Sequence, residues 1–145
     1  MAEAAAAPTV APRPARTVDA PRTFVVLGAF FAFLAVAAGA FGAHALTQRI
    51  PADRLEIFET AARYQMYHAL GLIAVAWAAT RWPGAAVAAA GWLFVSGILV
   101  FGGTLYGIAF GGPRWLGAIT PLGGLAFIAG WLALAIAALR GHAAP

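Results

Sequence analysis

The 145-residue chain contains no cysteine, no lysine and a single serine, Ser96, and only 10% of its residues are charged. Without cysteine there are no disulfides, thiolate metal sites, iron–sulfur clusters or thiol nucleophiles. Without lysine a Schiff-base mechanism is excluded, and all nine fixed positive charges are arginines. Those arginines stand singly between apolar stretches and form no patch, so the net charge of +4 points to phospholipid headgroups and not to nucleic acid. No Ser/His/Asp set, H-E-x-x-H or glycine-rich phosphate loop is present, and an enzyme is not expected.

What is abundant is apolar surface. Hydrophobic residues make up 63% of the chain and the mean hydropathy is +0.84, whereas a soluble domain averages about 45–50% apolar and about 25% charged. Residues 1–21, rich in Ala, Pro and Arg, have no apolar periodicity and read as a disordered tail. Four runs then carry no Arg, Asp or Glu: Phe24–Gln48, Tyr64–Thr80, Trp82–Pro113 and Trp115–Leu139. A membrane span needs about 20 residues. The third run is bounded by Arg81-Trp82-Pro83-Gly84 and Gly111-Gly112-Pro113-Arg114, which places turns at its ends. The expectation is an all-α, integral-membrane four-transmembrane-helix bundle with spans at about 24–46, 64–80, 85–110 and 115–139 and a short C-terminal tail at 141–145. Ala43-His44-Ala45 has the form of a leader cleavage site, but the run before it is too long for a secretory h-region, so the first span is expected to be retained.

Between the first two spans lies the one stretch dense in charge, Arg49–Arg63. Pro51 and Asp53, with Glu56 three residues on, have the form of a capping box at a helix start. Leu55, Phe58, Ala62, Met66 and Ala69 then share one helical face, and Glu56, Glu59, Thr60, Arg63 and Tyr67 another, with Glu59 and Arg63 in the favourable i,i+4 order. This predicts a short interfacial amphipathic helix over about 53–63 that runs into the second span. Counting arginines by side gives 13, 16, 22, 81 and 140 against 49, 54, 63 and 114, a bias of one that sets both termini in the cytoplasm.

The candidate cluster is His44, Glu56, Glu59, Arg63, Tyr64, Tyr67 and His68. His44 ends the first span and His68 opens the second, which puts both on one side of the membrane. Two histidines can ligate a metal or an iron porphyrin. The reading favoured is a structural clamp, in which hydrogen-bonded rings at the rim fasten the 49–63 segment to the helix ends, with no cofactor. Ion-coupled transport normally keeps a charge inside a span, and the four runs have none. Close helix approach is expected at Gly39, Gly103, Gly107 and Gly111, from small residues four apart, and a kink or break at Pro121.

GAFGAHAL at 39–46, LEIFETAARYQMYHALGL at 55–72, GGTLY at 102–106 and RWLGAITPLGGLAFIAGW at 114–131 together resemble the small bacterial membrane proteins known as domain of unknown function 423, and their eukaryotic counterpart, transmembrane protein 256. The resemblance covers about residues 24–140. It implies a four-helix integral membrane protein, expected in a bacterial inner membrane, and brings no activity, substrate or cofactor. The function read from these features is non-enzymatic binding of another membrane protein, lipid or itself through helix faces; the alternative is a small-solute or ion pathway formed by an oligomer.

Overall fold

The computed structural model describes residues 20–141; of the tails read at 1–21 and 141–145, residues 1–19 and 142–145 lie outside them, whereas 20, 21 and 141 belong to helices. The described chain is helical, with short connections. Helix α1 (Ala20–Phe41) continues through a π-helical turn, Gly42–Leu46. Helix α2 runs from Ala52 to Arg81 without interruption. Helix α3 (Ala85–Gly97), a second π turn (Ile98–Gly102) and helix α4 (Gly103–Ala109) form one rod, and helix α5 covers Leu116–Gly141. The rods 20–46, 85–109 and 116–141 are each long and apolar enough to cross a membrane. At 1.5 Å per residue each reaches about 38–40 Å, against a hydrocarbon thickness of about 30 Å.

Residues 53–63 are the first three turns of α2 and run on into its apolar half, as the helical spacing predicts. No Gly, Pro or loop interrupts the chain between them and the apolar half, so the backbone hydrogen bonds carry straight through. The capping box is not formed. Pro51 occupies the N-cap without a side-chain bond, and Asp53 lies in the first turn, where its charge favours the helix N-terminus. The predicted faces hold: Phe58, Ala62 and Ala69 are buried, while Glu56, Glu59, Arg63 and Tyr67 are exposed.

Helix α2 packs against α1, against the α3–α4 rod and against α5, whereas among the described residues the backbones of α1 and α5 do not approach. It is the central helix and the least apolar of the four rods. Small and large apolar residues share the interior, and large ones also cover the outside. Ala61, Ala69, Ala90 and Ala109 are fully buried, and Phe33, Val36, Ile128 and Leu139 face outward. Lipid tails are as apolar as these side chains, so packing fit and not hydrophobicity decides which large residues, among them Phe24, Leu72 and Phe94, are buried, and close contact between small ones lets the helices approach. At Gly28 an added Cβ would lie 2.8 Å from the carbonyl oxygen of Ala69, so α1 and α2 meet there backbone to backbone.

The expected packing glycines are corrected in part. Neither Gly39 nor Gly103 makes a close approach: an added Cβ would meet nothing within 4 Å at either, Gly39 opening onto a groove beside α2 and Gly103 standing exposed. Gly107 does pack, against Leu116 at the start of α5. Gly111 is a turn residue with φ +89°, a conformation that favours glycine. Pro121 neither breaks α5 nor packs: it lies exposed in the second turn of a continuous helix. The close contact belongs to its neighbour Gly123, which bears directly on the backbone of Phe101, and to Gly97, which bears on the ring of Phe127.

Candidate functional site

The polar groups of the bundle gather around the middle of α2. Gln65 and His68 lie about one turn apart on its buried side, 6% and 5% exposed. The Gln65 amide nitrogen donates to the carbonyl of Phe31 in α1 at 2.9 Å, and its oxygen accepts from the Tyr106 hydroxyl of α4 at 3.1 Å. One side chain thus joins three helices. A second link runs from α4 to α5, where the Thr104 and Thr120 hydroxyls meet at 2.8 Å. Thr104 also reaches the carbonyl of Val100 at 2.7 Å, inside the π turn. Such turns widen the helix and free carbonyls, and a hydroxyl is well suited to occupy one.

The imidazole of His68 is fixed on three sides. Nδ1 lies 2.7 Å from the Tyr64 carbonyl, and the indole N–H of Trp131 reaches Nε2 at 3.3 Å. A carbonyl only accepts and an indole N–H only donates, so these two partners assign the neutral tautomer with its proton on Nδ1. The ring stacks on Phe127 with centroids 3.4 Å apart and planes within 7°. Phe94 closes one side at 5.4 Å. Trp131 and Phe94 are themselves 4.8 Å apart, so ring contact and hydrogen bond act together to join α2, α3 and α5.

This geometry divides the predicted cluster. His44 is exposed on the π turn after α1. Gly42 meets Phe58, ten residues or about 15 Å along α2 from His68, so the two rings do not converge on one metal, which would need nitrogens within about 4–5 Å. The rim clamp is corrected as well. His68 stands near the centre of α2, and its bonds run to α5 and to its own helix, not to the 49–63 segment. Tyr64 is half exposed with its ring 4.9 Å from Phe101, and Tyr67 flanks it at 5.9 Å. Glu56, Glu59 and Arg63 lie on the outer surface of α2. Gln65 carries no charge but interrupts the apolar stripe Phe58, Ala62, Ala69, Leu72 and Ala76, and a lone amide in such a stripe is the signal that marks it.

Two grooves open outward on either side of the exposed face of α2. The one between α1 and α2, about 380 Å³, is lined by Ala35, Gly39, Glu59, Ala62, Arg63 and Met66. The other, about 270 Å³, lies between α2 and α5 and includes Trp77, Trp82, Trp131 and Leu134.

The sequence profile of the family "Protein of unknown function (DUF423)" matches residues 38–124. The chain belongs to this family. It is 48% identical over 120 residues to the UPF0382 membrane protein YwdK of Bacillus subtilis, covering 82% of this chain and 98% of that protein. It is 46% identical over 119 residues to a UPF0382 membrane protein of Staphylococcus epidermidis, covering 82% of this chain and 97% of that protein. No solved structure matches. This DUF423 chain is thus a membrane protein whose relatives carry no stated activity. The profile takes in both π turns, Gln65, His68, Thr104 and Thr120, and it stops before Trp131, the indole that holds His68.

Proposed function

We propose that this protein is a non-enzymatic, four-span membrane component that binds another membrane protein or lipid through its outer helix faces. The observation that carries this reading is the contrast between interior and exterior. Each buried side-chain nitrogen and oxygen among the described residues has a hydrogen-bond partner, and the grooves beside α2 open toward the surrounding bilayer. A polar group satisfied within the bundle is a structural link, whereas an open groove between helices is a place for a ligand.

Helix α2 is the fourth span in this reading. Its 30 residues reach about 45 Å, and its polar residues Gln65 and His68 turn inward to partners, so lipid meets mainly Tyr67, Leu70, Ile73 and Trp77. The first turns of α2, up to Glu59, stand in the headgroup region. The arginine bias sets both termini in the cytoplasm of a bacterial inner membrane.

Purification of the full chain in mild detergent, followed by mass spectrometry of co-purifying proteins and lipids, tests the proposal. The expected result is a reproducible partner or lipid retained in stoichiometric amount. Solute flux into vesicles holding only the purified protein, with nothing retained on it, overturns the proposal in favour of an oligomeric pathway.

A further inference from the structure

The groove between α1 and α2 has a feature that lipid-facing surfaces normally lack: an acid and a base, both exposed, one turn apart on one wall. Their depth follows from the helix. His68 stands midway between Arg54 and Arg81, which are about 40 Å apart along α2. Centred there, the hydrocarbon extends about 15 Å each way. Glu59, about 14 Å from His68, falls at its edge, and Arg63, about 8 Å from His68, falls within it. Side chains lean toward the helix N-terminus, here the outward direction, and a long arginine carries its charge to the boundary along an apolar wall. The cationic group is thus the deeper and the carboxylate the outer, separated by about 6 Å along the axis.

That order matches one kind of lipid head. In a phosphoethanolamine the phosphate adjoins the glycerol and the ammonium lies beyond it, two methylenes further from the membrane. We infer that this groove binds a phospholipid with an ethanolamine head, its phosphate on Arg63, its ammonium on Glu59 and an acyl chain along Ala35, Ala62 and Met66. The inference rests on the proposed four-span, lipid- or protein-binding reading and names the ligand. A phosphatidylglycerol satisfies Arg63 but leaves Glu59 without a cation. A phosphatidylcholine presents a trimethylammonium with no N–H to donate. Small residues on both walls leave room for the chain, and at Gly39 a Cβ would meet nothing within 4 Å, so the groove is empty there of protein atoms.

Native mass spectrometry of the detergent-purified full chain, mixed with equal amounts of dioleoyl phosphatidylethanolamine, phosphatidylcholine and phosphatidylglycerol, reads the preference directly. The ethanolamine lipid is expected to be retained about tenfold over the other two, the worth of one charge-assisted contact. Glu59→Gln should abolish that preference while phosphatidylglycerol still binds, and Arg63→Gln should weaken both. Gly39→Trp fills the groove from an open position, so it should fold with unchanged melting temperature and lose the retained lipid. Equal retention of all three lipids by the unmodified protein overturns the inference, as does undiminished ethanolamine lipid on Gly39→Trp. A second protein chain that displaces lipid from the groove, seen by cross-linking from position 39, also overturns it. The last result leaves the broader binding proposal standing, whereas retention of no lipid and no protein defeats both.

Discussion

The indole N–H of Trp131 meets Nε2 of His68 across 3.3 Å, and this bond, between residues 63 apart in sequence, ties the central helix to the last one. On the other side of the ring, Nδ1 is held by the Tyr64 carbonyl. Protonation of Nε2 would set two N–H donors against each other, so the ring serves this architecture in its neutral form.

His68→Gln should therefore be mild, with a loss of about 1 kcal/mol, because an amide can still receive the Trp131 N–H. His68→Leu leaves that donor without a partner and should cost about 1–3 kcal/mol. His68→Phe separates the two contributions by keeping a ring on Phe127 while removing the hydrogen bond. Thermal unfolding in detergent measures all three. Equal stability of the Leu and Gln variants would refute the hydrogen-bond account.

Gly123→Leu and Gly97→Leu should be severely destabilising, by about 3 kcal/mol or more, because the added side chain meets the Phe101 backbone or the Phe127 ring with no room to move. Gly103→Leu should stay within about 0.5 kcal/mol of the parent, since its site is open. A comparison of melting temperatures for the three variants checks the ranking.

Gln65 and Tyr106 form a pair suited to a double-mutant cycle. Tyr106→Phe should cost about 0.5–1.5 kcal/mol and Gln65→Leu somewhat more, because the latter also releases the α1 contact at Phe31. A coupling of about 0.5–1 kcal/mol is expected for a hydrogen bond inside a membrane bundle. Additive losses would show that the two groups act independently.

Reporter fusions decide the membrane crossings of α2 and the orientation together. Activity after Pro145 and within 82–84 should read cytoplasmic, and an insertion beside Thr47 should read external. Agreement between Thr47 and 82–84 would mean that α2 does not cross. Inversion at all three sites would reverse the orientation and keep the four spans.

Much of the architecture follows from the sequence because local rules govern it. Charge-free runs, bounded by Arg-Trp-Pro-Gly and Gly-Gly-Pro-Arg, set where helices end to within a few residues, since both turns need Gly or Pro and an apolar helix must stop where charge begins. The amphipathic face of residues 55–69 was equally legible from helical spacing. Its continuity with the apolar half was legible too, because no Gly or Pro stands between residues 53–63 and His68, and charge content alone does not interrupt backbone hydrogen bonds.

What the tertiary structure decided is which side of each helix faces a neighbour. Gly103 and Gly123 look alike in sequence, yet one is open and the other touches the Phe101 backbone; rotation of a helix about its axis is set by the packing of all the others. The same holds for His68. Sequence places it near the start of an apolar run, and only the docking of α5 brings Trp131 to its Nε2 and Phe127 to its face. A helix carries its own periodicity, but the partner of a buried polar group comes from a distant segment, and in lipid that partner determines where the group can stand.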